Sequence, residues 1–294
     1  MTKPPRRSPL DRFTMLGRPE SRPRGSDLAR RDFLRRLGWG LAAIPLVQAA
    51  ACTDSDVAAG PDAASTGDGA AVTDWASGGT AAMTGKASYP DPFTAALTSC
   101  ALVATTTEGP CTTSDDQVRE DVSEGWTGLP VRLLLKVVDS ACAPLAGVTV
   151  KIWHTNLAGS YSGETPNPTM CLTNQSYSSA DFFRGVQTTD ASGVVGFDTC
   201  FPGWYRGRAV HIHFQVKQGA TSYRVSQLFF PEAVTSAIFA SHAEYAGYGQ
   251  PDTTFSDDNI IAGIASADRD RHVLTVARMT DGAMLASKVV TVAG

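Results

Sequence analysis

From about residue 131 onward the chain alternates short apolar runs with turn-forming clusters. Residues 131–138 (V-R-L-L-L-K-V-V), 148–153 (V-T-V-K-I-W), 193–199, 209–216, 223–230 and 273–278 are rich in β-branched or aromatic side chains. Asp139-Ser140, Asp190-Ala191-Ser192-Gly193 and Pro202-Gly203 lie between them as turn signals. Several strands at this spacing, with no regular helical alternation, predict an all-β domain: a two-sheet β-sandwich with long loops and little helix. One helix is predicted, over 232–240, and no internal repeat is found.

The N-terminal third has a different pattern. Arg30-Arg31-Asp32-Phe33-Leu34, followed by Arg35 and Arg36, precedes an apolar run over 37–47 and then Ala49-Ala50-Ala51. A charged segment, an apolar stretch too short to span a bilayer and a small-residue cleavage site read as an export signal over 1–51. The paired arginines before Phe-Leu resemble a twin-arginine signal, a route that exports folded proteins. The competing reading is a basic tail with one buried helix. Cys52 fits either a lipid-modified cysteine that anchors the chain or simple cleavage after Ala51. Residues 52–94 are dominated by Ala, Gly, Ser, Thr and Asp and predict a disordered tether, leaving 95–294 as the strand-rich domain.

The composition, 43% hydrophobic and 18% charged over 294 residues, belongs to a globular chain with a sizeable core. Its net charge of −4 hides a split, because 11 of its 25 Lys and Arg but only 4 of its 29 Asp and Glu fall within 1–51, so the remainder carries about −11. Phosphate binding needs a basic face, and a nucleic-acid role is excluded on that ground. Cys100, Cys111, Cys142, Cys171 and Cys200 fall in the domain. Outside the cytoplasm some of them pair and one is left over, while the absence of any C-x-x-C spacing argues against a cysteine zinc site. The pairing itself is not readable from their positions.

Candidate chemistry concentrates in Phe201-Pro-Gly-Trp-Tyr-Arg-Gly-Arg-Ala-Val-His-Ile-His-Phe214. Residues i and i+2 of a strand share a face, so His211 and His213 present two imidazoles side by side while Ile212 points the other way. Such a pair is half of a metal site, or else an exposed pair on an edge strand. A cupin would carry a glutamate four or five residues further on, where this chain has Lys217 and Gln218, and a copper-zinc superoxide dismutase would need more than five histidines. Oxygen ligands remain, and Tyr161 and Tyr205 stand out by their settings. His154 reads as structural or as a support behind the ligands and not as a fifth ligand, His242 and His272 as surface residues.

The motifs around these residues resemble those of the intradiol ring-cleaving dioxygenases over about residues 107–231. They are Thr107-Glu-Gly-Pro110, Arg119-Glu-Asp121, Glu124-Gly125, W-H-x-N-x-x-G-x-Y-S-G from Trp153, R-G-x-Q-T-T-D from Arg184, P-G-W-Y-x-G-R-x-x-H-I-H-F from Pro202, and Ser226-Gln-Leu-Phe-Phe230. The resemblance implies one non-haem Fe(III) per chain, held by Tyr161, Tyr205, His211 and His213. It also implies a small aromatic diol and O2 as substrates, cleaved to a cis,cis-muconate-type diacid. By matching positions Tyr205 is the ligand that leaves on substrate binding and takes up a proton, Arg208 faces charge on the ring, and Gln227 is a supporting amide. The chain departs from the pattern at Cys111-Thr112-Thr113, where many relatives have tyrosines, which alters the expected pocket wall. The alternative function is an exported β-sandwich that binds a metal or ligand without turnover.

Overall fold

In the run V-R-L-L-L-K-V-V, Val131, Leu133, Leu135 and Val137 are fully buried while Arg132, Leu134 and Lys136 are half-exposed, the period of two that makes it a strand. The computed structural model describes residues 75–114 and 116–293. Eight strands follow in chain order: β1 (Pro130–Val138), β2 (Thr149–Trp153), β3 (Arg184–Thr188), β4 (Val194–Cys200), β5 (His211–Gln218), β6 (Thr221–Phe229), β7 (Thr275–Arg278) and β8 (Met284–Thr291). They form two four-stranded sheets, ordered β4-β1-β8-β7 and β3-β2-β5-β6. Every neighbouring pair is antiparallel except β1 with β8, which is parallel. Leu133, Leu135 and Phe197 of one sheet join Ile152, Ile212, Phe214 and Leu228 of the other in the main core. The predicted sandwich is therefore the observed architecture.

Helix is sparse: α1 (Pro168–Cys171), α2 (Glu232–Ser241) and α3 (Asn259–Ala262), with short 3-10 turns between. The second matches the one helix expected. None of the described helices is long and apolar enough to cross a membrane. Two strands were not anticipated. β3 reads R-G-V-Q-T and β8 reads M-L-A-S-K-V-V-T, and neither has the density of branched or aromatic residues that marks the others. Each is a strand because its backbone completes a ladder beside β2 or β1.

The boundary at 95 is corrected. Residues 75–94, assigned above to the tether, pack on the sandwich through a few large side chains spaced among small ones. Trp75 lies against the main core and Met83 is buried. Lys86 reaches Asp198 at 2.5 Å, and Asp281 accepts hydrogen bonds from Gly85 N and Tyr89 Oη, both at 2.7 Å. The same segment explains why His242 is buried and not a surface residue, since its Nε2 lies 3.0 Å from the Ala76 carbonyl oxygen. His272 is also fully buried, tucked under β6 with Nδ1 3.0 Å from the Gln227 carbonyl. The export signal over 1–51, Cys52 and the rest of the tether up to residue 74 lie outside the described residues.

Cys100 pairs with Cys142 and Cys111 with Cys171, leaving Cys200 as the buried free thiol among the described cysteines. Burial pushes the Cys200 thiol up to about 12, so it is unreactive at neutral pH.

Two stability predictions follow from this arrangement. A chain beginning at residue 95 is expected to be less stable than one beginning at residue 75 by about 3 kcal/mol or more, because burial of one large apolar side chain is worth ~1.5–3 kcal/mol. Urea titration of both chains checks it, and equal midpoints would contradict it. Replacing Cys111 and Cys171 by Ser is expected to lower stability by about 3 to 4 kcal/mol through loop-closure entropy. In that variant amide exchange at 107–113 should accelerate before exchange in the sheets does, and unchanged exchange there would show that the bridge does not pin the segment.

Candidate metal centre

Two loops carry the tyrosines, and glycines let them interlock. After β2 the chain turns at Asn156, whose Oδ1 accepts from Ala158 N and Ser160 N, both at 3.0 Å. Gly159 has φ +76°, and a Cβ there would stand 2.2 Å from the Trp204 carbonyl oxygen. Conversely, a Cβ on Gly203 would meet the Asn156 carbonyl oxygen at 2.4 Å. The spacing of N-x-x-G-x-Y and P-G-W-Y thus has a steric cause: each loop approaches the other where no side chain fits, which brings Tyr161 beside Tyr205.

Strand β5 supplies the other half. Ile212 and Phe214 point into the core, so His211 and His213 emerge on the opposite face of the sheet. His211 Nε2 lies 3.1 Å from His213 Nε2, 3.2 Å from Tyr205 Oη and 3.4 Å from Tyr161 Oη, and the two phenol oxygens are 3.3 Å apart. All four residues singled out in the sequence therefore converge. Trp153, paired with His213 in the β2–β5 register, stacks on its ring at 4.8 Å with an interplanar angle of 10°. The tyrosines are not equivalent, since Tyr161 is 2% exposed in a cluster with Cys111, Trp153, Cys171 and Leu172, while Tyr205 only packs against its edge.

The protonation states suit a cation. Burial, reinforced by Arg208, pushes His211 down to about 3, and burial together with His211 holds His213 well below its ordinary value. Both imidazoles are neutral. His211 Nδ1 faces the Ala209 carbonyl at 2.6 Å and donates to it, so its Nε2 turns a bare lone pair to the centre. His213 Nδ1 is buried without a hydrogen-bond partner. Burial raises both phenols, that of Tyr161 well above its usual range with Tyr205 adding to the effect, and that of Tyr205 against the pull of Arg208. The four donor atoms converge on one point. Separations of 3.1–3.4 Å match the edges of a polyhedron with bonds of about 2 Å to one ion. No cluster of three or more His, Cys, Asp or Glu exists among the described residues, so the oxygen donors available are the two phenols, which would become hard anionic ligands on giving up their protons to a bound cation.

Around the four lie groups of two kinds. Arg208 sends Nη1 to within 3.5 Å of Tyr205 Oη and donates through Nη2 to Gln227 Oε1, while Gln227 Nε2 donates to the Thr107 carbonyl at 3.2 Å. The segment from Thr107 to Thr113 borders the site. Its Gly109 would bring a Cβ within 3.4 Å of His213 Cε1, and its Cys111 is bridged to Cys171. The altered Cys111-Thr112-Thr113 stretch is thus a braced wall. Lys151 Nζ donates to Thr112 Oγ1 at 2.9 Å and pairs with Asp116, and Arg184 Nη1 donates to Thr113 Oγ1 at 2.8 Å. His154 stays structural, its ring between the Thr155 carbonyl and Thr199 Oγ1 and its pKa pushed down to about 4 by burial. Reading the sequence missed Lys151, Asp116 and Asp258. A lysine inside an otherwise apolar strand was the available signal for the first, while the two acids sit in polar loops with nothing to mark them.

A family model described as Dioxygenase matches residues 106–290, more than half of the chain. An intradiol ring-cleavage dioxygenase from Tetranychus urticae superimposes with a TM-score of 0.58 at 24% identity, over 66% of this chain and 95% of its own. The dioxygenase Tetur07g02040 does so with a TM-score of 0.57 at 25% identity, again over 66% and 95%. No match was found among curated protein sequences. The two structures share the sandwich, and the family is dependent on non-haem iron. With the matched region spanning both tyrosine loops and the histidine strand, the chain belongs to the intradiol ring-cleaving dioxygenase family.

Proposed function

We propose that the protein opens a catechol-type ring between its two hydroxyl-bearing carbons, using O2 and one ferric ion held by Tyr161, Tyr205, His211 and His213. The observation that carries this reading is the convergence of two phenol oxygens and two imidazole nitrogens within 3.1–3.4 Å beside one arginine. The chemistry supplied by a bound ferric ion is chelation of both diol oxygens and activation of the ring toward O2 without an external reductant.

The chain's own residues do the rest. Tyr161, fully packed, keeps its position throughout. Tyr205 has the freer setting and is the phenol that yields its place to the substrate, its oxygen receiving one of the two diol protons. Arg208 faces that oxygen and offers a fixed cation to negative charge on the ring. Gln227, held between Arg208 and the Thr107 carbonyl, orients the same edge of the site. Trp153, Leu172 and the Cys111–Cys171 bridge pack around the Tyr161 ring and shield it from water. Two disulfides, together with the paired arginines and apolar run of the N-terminus, support work outside the cytoplasm.

Protein from iron-replete expression is expected to hold about one iron per chain and to be reddish from tyrosinate-to-iron charge transfer, as the donor set requires. A colourless, zinc-bound protein would refute the assignment. His211→Ala or His213→Ala should each lose the iron. Tyr205→Phe should keep most of it while O2 uptake with catechol falls by about 10² or more, and Tyr161→Phe should bleach the colour more severely. A Tyr205→Phe variant as active as the parent would remove the proton-accepting role.

A further inference from the structure

Arg208 is a long, flexible side chain that this function needs in one orientation, and the residue that holds it comes from 50 positions later. Asp258 is completely buried. Its Oδ2 accepts from Arg208 Nε at 2.9 Å and from Ala209 N at 2.9 Å. Its Oδ1 accepts from Ile260 N at 2.9 Å and Ile261 N at 3.4 Å, capping α3. An ionised carboxylate has acceptor sites enough for all four contacts, whereas an amide offers one oxygen and a serine one hydroxyl.

The consequences reach the site by two routes. With Nε fixed, the guanidinium plane can turn only so that Nη1 faces Tyr205 Oη and Nη2 faces Gln227 Oε1, as observed. The peptide pinned at Ala209 N belongs to the residue whose carbonyl oxygen orients the His211 ring. Neighbouring contacts brace the same loop from the same segment: Trp204 Nε1 donates to the Gly249 carbonyl at 3.1 Å and Gly207 N to Asp252 Oδ1 at 2.9 Å.

We infer that Asp258 is the positioning residue for Arg208 in ring cleavage: its buried carboxylate fixes Arg208 Nε and so aims the rest of the guanidinium at the substrate side of Tyr205. This rests on the role given to Arg208 above. Asp258 touches no reacting atom and acts only through Arg208 and the Ala209 peptide.

A double-mutant cycle on the iron-loaded enzyme tests it. Asp258→Ser keeps an N-cap oxygen for α3 but cannot reach Arg208, and Arg208→Ala removes the group being positioned. In the parent, Asp258→Ser is expected to lower kcat by about 10- to 100-fold, the scale of a misplaced catalytic group, with KM, iron content and colour near parental. In the Arg208→Ala background the same change should cost a factor several-fold smaller, the remainder being what passes through the Ala209 peptide. An equal factor in both backgrounds would overturn the inference, as would a parental kcat in Asp258→Ser beside a slowed Arg208→Ala. If Arg208→Ala itself cleaves catechol at the parental rate, the functional reading of Arg208 has failed and the inference falls with it. The contact is also read without activity, in metal-free protein, from the Arg208 Nε–H nitrogen-15 signal, identified by its loss in Arg208→Ala. That signal should exchange slowly with solvent in the parent and fast in Asp258→Ser, and slow exchange in both would overturn the contact. Asp258→Asn, closer in size, carries both measurements if the serine variant does not fold.

Discussion

Along β5 neighbouring side chains point to opposite faces, so the residues that bury Ile212, Phe214 and Val216 between the sheets also aim His211 and His213 out of them. Core and site are two sides of one strand. A one-residue slip would put imidazoles in the core and isoleucine at the centre, a double penalty that makes the register secure. The neighbours extend the same logic. Trp153 of β2 and Gln227 of β6 both pair with His213 in the ladder and therefore share its face, one stacking on its ring and the other reaching Arg208. The rigidity of the sandwich is thus passed directly to the donor atoms, and only the tyrosines and Arg208 depend on loops.

Those loops are held by close backbone approach and by buried polar contacts rather than by repeating structure. Gly159 and Gly203 let the tyrosine loops touch, the Cys111–Cys171 bridge ties the bordering segment to the Tyr161 loop, and Asp258 fixes the far side. The arrangement concentrates polar atoms at one place. Two neutral imidazoles and two phenol oxygens converging on one point are a donor set that a single cation could share.

What could be read in the sequence followed from how local each signal was. The H-x-H spacing, the W-H-x-N-x-x-G-x-Y-S-G stretch and the P-G-W-Y turn carry their chemistry within a dozen residues, and Tyr161, Tyr205, His211, His213, Arg208 and Gln227 all meet at one place. Strands β3 and β8 were invisible because their ladder partners, and not their own side chains, make them strands. Residues 75–94 looked like a tether because Trp75, Met83 and Tyr89 are diluted among alanines, glycines and serines, and composition averages over the few side chains that anchor a segment. The burial of His242 and His272, the disulfide pairing and the role of Asp258 are all long-range contacts, for which sequence spacing holds no information.

Which bond of the ring is broken, and where the new oxygen goes, distinguishes intradiol cleavage from any other chemistry at this site. The most direct measurement supplies catechol to the iron-loaded enzyme under oxygen-18 gas and weighs the product by mass spectrometry. The expected product is a cis,cis-muconate-type diacid carrying two labelled oxygen atoms. A product cleaved outside the two hydroxyl-bearing carbons, or unchanged catechol with iron in place, would contradict intradiol cleavage.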